Sequence, residues 1–301
     1  RMAEAASKQR KRPALRFLSP NEWRGLALIS PALGYAVLML AAPLLLVFLL
    51  SMWTQNYLDL DTTLTFANYR EAITDPLYRL LMIRSIIISG IVTAVTVILA
   101  YPVAYFVAFY GGPRKSMWLL LITIPFWTSY LIRIFLWKVI LGYNGVVNSS
   151  LLGLGLIEEP LTIILYNANA VVITLAHAWA PFAILPIYVA LSRIDTSLLE
   201  AARDLGDGPV RRFFRVTLPL SMSGVVAATL IVFIPTVGDY VTPRLLGGTN
   251  GLMIANMIQI QFGKANNAPL GSALAVSAMV IVASISIAYV LLNRRFLKSR
   301  G

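Results

Sequence analysis

Long charge-free stretches alternate along this chain with short, mostly basic polar segments. Residues 25–58, 85–113, 160–192, 216–238 and 265–293 contain no Lys, Arg, Asp or Glu, and 117–140 is apolar apart from Arg133 and Lys138. Each window supplies the roughly 20 residues that a helix needs to cross a hydrocarbon core about 30 Å thick. The pattern predicts an all-α membrane protein with six transmembrane helices, at about 26–50, 86–110, 117–140, 168–191, 218–237 and 270–292. Apolar windows recur along the whole length, so the first reads as a retained span and not as a cleaved leader. Pro31, Pro43, Pro102, Pro181 and Pro186 fall inside these spans, where neighbouring helices can satisfy the carbonyls that proline frees.

The connections differ in character. Residues 51–84 read as a loop carrying one short surface helix, TFANYREAI, with Thr65 as its cap. Residues 142–166 read as a short amphipathic segment and not a seventh crossing, because Gly145, Gly153 and Gly155 weaken a helix and Glu158 and Glu159 end the run. The connection after the fifth span, GDYVTPRLLGGTNGLMIANMIQIQFGKANNAP, is too long and too patterned for a simple turn. With an internal N-terminus, 18 of the 25 basic residues fall on the cytoplasmic side, which is the orientation the positive-inside rule selects. Both termini are therefore expected in the cytoplasm: a basic, interfacial tail over 1–24, a transmembrane domain over 25–293 and a basic tail over 294–301.

Composition narrows the function. The chain is 58% hydrophobic and 13% charged, with a net charge of +12 that suits anionic lipid head groups better than nucleic acid. It has no cysteine and one histidine, His177, too few for a thiolate or histidine metal site or a cysteine nucleophile. His177 reads as a hydrogen-bonded structural residue, since no intramembrane carboxylate accompanies it. Lys138 can snorkel to head groups, whereas the deeper Arg133 is expected to pair with a carboxylate or with carbonyls if it faces the bundle interior. No phosphate-binding G-x-x-x-x-G-K-[ST] loop occurs, so this chain does not hydrolyse ATP itself.

EAARDLGDGPVRRFFRVTLPL, from Glu200 to Leu220, breaks the apolar pattern. Thr196 and Ser197 stand before a helical run in which Leu198, Leu199, Ala202 and Leu205 repeat at helical spacing. Gly206 to Pro209 interrupts it, and a second run leads into the fifth span. Two short helices joined by a glycine bend are expected over 195–217. An interfacial loop burying Phe213 and Phe214 in head groups and a docking element both fit this pattern.

The residue order adds more. Glu200-Ala201-Ala202, three residues, Gly206, nine residues, then Val216-Thr217-Leu218-Pro219 resembles the EAA signature of type I ATP-binding-cassette (ABC) importer permeases, with Val in place of the usual Ile. IPFWTSYLIRIF, NGVVNSSLLGLGLI, LLEAARDLG and GDYVTPRLLGG are similar, in order, to segments of the permeases of bacterial spermidine/putrescine importers. The last segment supplies Gly238, Asp239, Val241, Pro243 and Leu245 to Gly248.

The resemblance implies a coupling helix seated in a cytoplasmic ATPase. Glu200, Ala201, Ala202, Asp204, Gly206, Leu218 and Pro219 would be the coupling residues, Ala201 and Ala202 allowing close approach and Gly206 setting the bend. It also implies a second homologous permease, two ATPase subunits carrying ATP-Mg, a periplasmic substrate-binding protein, and a bacterial inner-membrane location, with no cofactor, metal or catalytic residue in this chain. A polyamine path should offer carboxylates, aromatic faces and carbonyls. Asp239, Tyr240, Trp127, Tyr130 and Trp179 are the candidates, Asp239 first because it sits where the fifth span meets the following connection. Related permeases carry opine-like compounds, phosphonates or other amines. The alternative class, an autonomous secondary carrier, would need intramembrane ionisable pairs or inverted repeats, which the sequence does not show.

Overall fold

The computed structural model describes residues 20–57 and 59–295. The expected basic tails therefore lie largely outside the described residues. The chain divides into two compact units, 1–49 and 50–301. In the first, α1 (Pro20–Leu50) carries Pro31 and Pro43 inside the helix, and its apolar stretch, Ala27–Leu50, is long enough to span a bilayer.

The second unit opens with a small antiparallel hairpin, β1 (Thr54–Asn56) and β2 (Asp59–Asp61), followed by α2 (Ala67–Thr74). The Thr65 hydroxyl accepts the Ala67 N–H at 3.2 Å, but the cap position itself belongs to Phe66, so Thr65 acts one residue earlier than expected. Buried Asn68 ties α2 back to the hairpin's entry, donating to the carbonyls of Ser51 (3.2 Å) and Trp53 (2.6 Å).

The second span, α3, runs Pro76–Tyr110 and starts ten residues earlier than its apolar window suggests, so Arg79 and Arg84 belong to the helix and not to a loop. Asp75 sets that start. Its carboxylate accepts the Leu77 N–H at 2.7 Å, and Pro76 occupies the first helical position, where its missing N–H costs nothing. Asn167 and Asn267 cap α7 (Ala168–Ser192) and α13 (Ala268–Leu292) in the same way.

The third span is not one straight helix. It consists of α4 (Lys115–Thr123), a 3₁₀ turn at Ile124–Trp127 and α5 (Tyr130–Ile140), with an 87° bend between the two halves. Pro125 removes a backbone donor, and Thr128 and Ser129 are extended (ψ 148° and 135°), so the helix stops and restarts in a new direction. The following segment forms α6 (Val146–Gly153), with Gly145 at its N-cap, and a 3₁₀ turn at Thr162–Ile164, consistent with a short non-crossing element. α8 (Thr196–Asp204) and α9 (Pro209–Arg212) lie between α7 and the fifth span, α10 (Leu218–Val237). α11 (Val241–Leu246) and α12 (Ile254–Phe262) fill the last connection.

The main core lies among α3, α7 and α10, with Ile88, Val92, Leu175, Ile187, Leu191 and Val232 buried together. Between α7 and α10 the backbones approach closely at Gly224, where a Cβ would stand 2.5 Å from the Pro186 carbonyl oxygen. Small residues at such crossings let membrane helices gain dispersion contacts that a lipid-facing side chain cannot match. A second cluster joins α3, α12 and α13 through Tyr78, Leu81, Ile254, Leu270 and Leu274.

Candidate functional site

α10 has a distinctive structure at each end. At the Leu218 end, the 195–217 segment folds as a helical hairpin. Asp195, not Thr196 or Ser197, is the N-cap of α8. Its carboxylate accepts the Ser197 N–H at 3.0 Å, and this amide and the Ser197 hydroxyl hold the carboxyl below its ordinary value. α8 ends on Gly206, whose φ of +84° only glycine adopts cheaply. There the Gly206 N–H reaches the Arg203 carbonyl (2.9 Å) and the Asp207 N–H the Ala202 carbonyl (3.0 Å), the paired bonds of a Schellman motif.

The expected second helix is not separate. α9 passes through a π-helical turn, Phe213–Thr217, directly into α10, so that Pro209–Val237 is one helical path. Ala202 is buried, Glu200, Ala201, Asp204 and Gly206 are exposed, and Leu218 and Pro219 are half-buried in the first turn of α10. Phe213 packs edge-on against Tyr101, with ring centroids 5.4 Å apart, while Phe214 stays exposed. Sequence reasoning missed Asp207. Its buried carboxylate accepts from Arg211 Nε at 3.1 Å and Arg215 Nη1 at 3.4 Å, a ladder at four-residue spacing that the sequence does display.

At the Val237 end, the Tyr130 hydroxyl donates to Asp239 Oδ2 at 2.7 Å and shares a hydrogen bond with Thr242 at 2.9 Å. Asp239 Oδ1 accepts the Val241 N–H at 2.9 Å. Of the five predicted path residues, these two are therefore in direct contact. Trp127 is 81% exposed, and exposed Tyr240 uses its backbone carbonyl to accept from Asn256 Nδ2 at 2.7 Å. Trp179 lines a cleft of about 170 Å³ together with Phe126, Thr128, Tyr130, Arg133 and Phe182.

Arg133 is only 8% exposed and meets no carboxylate; it donates to the carbonyls of Thr128 (3.1 Å) and Ala178 (3.4 Å), one of the two pairings anticipated for it. His177 accepts at Nδ1 from Trp137 Nε1 at 3.1 Å, which fixes a structural contact between α5 and α7. Among the described residues, no three His, Asp or Glu side chains group as metal ligands would.

The α11–α12 connection is tied to α3. Ser85 Oγ accepts the Ile254 N–H at 2.7 Å, Arg84 donates to the Thr249 carbonyl at 3.0 Å, and Gln261 donates to Tyr78 at 3.1 Å. Buried Asn256 accepts the Met253 N–H (3.0 Å) in addition to its bond to Tyr240.

Five long apolar helices plus one bent pair define a multi-pass helical membrane protein. The chain belongs to the family described as binding-protein-dependent transport system inner membrane components, whose model matches residues 65–298. It is thus an inner-membrane permease subunit of an ABC importer, a transport component and not an enzyme.

The chain is 36% identical, over 87% of its length and 93% of the relative's, to the spermidine/putrescine transport system permease protein PotB of Haemophilus influenzae. To PotB of Escherichia coli K12 it is 33% identical, over 87% and 95%. Among solved structures, a chain of a bacterial alginate ABC transporter, in complex with its alginate pentasaccharide-bound periplasmic protein, superposes with a TM-score of 0.71 at 16% identity, covering 92% of this chain and 96% of that one. A chain of the MetNI methionine ABC transporter in inward-facing form superposes at 0.56 and 18% identity, covering 74% and 99%. The fold is that of type I ABC importer permeases.

Proposed function

We propose that this subunit forms half of the translocation pathway of an ATP-driven importer for spermidine- or putrescine-like polyamines. The observation that carries the substrate class is its 36% identity, over 87% of its length, to a permease named for spermidine and putrescine. The junction at the Val237 end of α10 supports it. A carboxylate held by a tyrosine hydroxyl can exchange that partner for an alkylammonium group, and the aromatic cleft beside it offers π faces.

In this reading both termini and the 195–217 hairpin face the cytoplasm. The exposed face of α8, with Glu200, Ala201 and Asp204, seats in an ATPase subunit, while Gly206 sets the angle and Leu218 and Pro219 root the hairpin in α10. Two ATPases bearing ATP-Mg, a second homologous permease and a periplasmic binding protein complete the complex. Closure of the ATPases does work on the permease because contact energy differs between the two states.

The test is a complex purified through this subunit, identified by mass spectrometry and reconstituted with its binding protein. ATP-dependent uptake of labelled spermidine is expected. Uptake by this chain alone without ATPase, or stimulation of ATP turnover only by a non-amine solute, overturns the reading.

A further inference from the structure

We propose that Asp207 is a positioning residue: it clamps α8 to the continuous Pro209–Val237 helical path so that the two move as one body. The inference rests on the importer reading above and gives that hairpin a named source of stiffness.

Asp207 is set apart by burial. Glu200, Arg203 and Asp204 on the same hairpin are exposed, yet the Asp207 side chain is only 5% exposed. Gly206 and Gly208 flank it, and glycine resists bending least, so local chain stiffness does not account for its fixed place. Three bonds do. Its N–H holds the Ala202 carbonyl in the last turn of α8, Oδ1 holds Arg211 in α9, and Oδ2 holds Arg215 inside the π-helical turn. Both arginines are well exposed, at 72% and 62%, so either alone would be a weak, solvent-screened partner. Joined on a buried carboxylate, they are retained, because a buried charge without partners is strongly unfavourable.

The position of the bonds matters as much as their number. The Phe213–Thr217 turn is where the path from hairpin to α10 is softest: the Leu218 N–H bonds five residues back to Phe213, a wider register than the α-helix uses. A push on α8 would dissipate in that turn. The Asp207–Arg215 bond starts at the end of α8 and lands within the turn, bracing the soft joint from outside.

The experiment uses the full reconstituted complex with spermidine as probe. Asp207→Asn keeps the size and removes the charge; Arg211→Gln with Arg215→Gln removes the partners and leaves Asp207 in place. Each is expected to speed hydrogen–deuterium exchange of the 205–217 amides and to lower spermidine imported per ATP hydrolysed by about threefold or more, and the triple variant should be no worse than Asp207→Asn. Asp207→Glu, which keeps the charge, should recover most of the ratio. Unchanged exchange and an unchanged ratio in both variants overturn the clamp, as does a triple variant whose losses simply multiply. Absence of spermidine uptake by the unmodified complex overturns the polyamine reading instead, and the exchange result then decides the clamp alone.

Discussion

The two ends of α10 are built on opposite principles. At the Leu218 end the helix runs unbroken into a hairpin that makes most of its contacts with itself: a Schellman turn at Gly206 and an ion-pair ladder from Asp207 to Arg211 and Arg215. At the Val237 end the helix stops, and the connection is pinned to other helices, by Tyr130 on Asp239, Ser85 on Ile254, Arg84 on Thr249 and Tyr78 on Gln261. A segment held by its own bonds can move as a unit relative to its surroundings, whereas one bonded to several helices moves only if they do. The first design suits a lever, the second an anchor beside a binding region.

The strongest way to break this contrast is at the lever's turn. Gly206→Pro demands φ near −65° where the chain has +84°, and it deletes the N–H that bonds Arg203. A local penalty of about 3 kcal/mol or more shifts the equilibrium between formed and unformed hairpin by about a hundredfold or more. Binding-protein-stimulated ATP turnover of the reconstituted complex should fall to near its unstimulated level while the subunit remains inserted; full turnover would show that the hairpin transmits nothing. At the other end, Asp239→Asn keeps an acceptor for the Val241 N–H, removes the charge and turns the oxygen that accepts from Tyr130 into an amide donor. Spermidine uptake should drop about tenfold, the loss of one charge-assisted contact. Tyr130→Phe, which frees that carboxylate, should change affinity less than Asp239→Asn does.

The same contrast governs what could be read from the sequence. Six spans were legible because soluble folds seldom leave a window of that length without a charge, and five of them appear as long helices, close to the expected bounds except at the start of α3. The start of α3 was misplaced because hydropathy registers Arg79 and Arg84 as loop, while the Asp75-Pro76 pair, a helix-start signal carried by two residues, was there to be weighed against them. The bend in the third span hid for a related reason. Apolar composition continues through Thr128 and Ser129, so a turn inside the window leaves no trace in hydropathy, and only Pro125 hints at it. At the hairpin, Gly206 was legible as a bend, but the π-turn was not, since no residue type demands that register. Asp207 was passed over because a charge in a charged loop reads as solvated until burial is known. Asp239 and Tyr130 were separately legible; that they touch depends on the 87° bend, which carries α5 to the end of α10.

The anchor predicts a structural effect where the lever predicts a functional one. Gly248 has φ +55°, and a Cβ there would meet the Tyr166 carbonyl oxygen, in the segment before α7, at 2.2 Å. Backbone cannot yield as a flexible side chain does, so Gly248→Ala should cost about 3 kcal/mol and lower the melting temperature of the purified complex by several degrees. Gly153→Ala, in the last turn of α6 with no atom near the added Cβ, is the control and should leave melting unchanged or slightly higher, because alanine favours a helix. Equal melting for the two variants would mean that the connection is not held as tightly as its bonds indicate.

The smallest expected effect separates the ionisable cap of α8 from the neutral amides at the starts of α12 and α13. The hairpin's cap, Asp195, is an exposed carboxylate held below the ordinary value of 3.8 by the Ser197 amide and hydroxyl. A depressed carboxyl contributes stability that is fully present above its unfolded value and is lost as pH falls through the lower, folded value. Protection of the first-turn amides of α8 should therefore weaken on acidification below about pH 4, where the carboxylate takes up its proton. Asp195→Asn keeps a capping oxygen that does not titrate, so the ratio of variant to unmodified exchange at each pH should rise toward neutral pH and converge in acid. In the anchor, Asn267 caps α13 and Asn256, inside the first turn of α12, reaches back to the Met253 N–H; both use neutral amides, and exchange there should show no such step. An acid-dependent step of equal size at the starts of α8, α12 and α13 would mean that the ionised Asp195 carboxylate is not what closes the start of the lever.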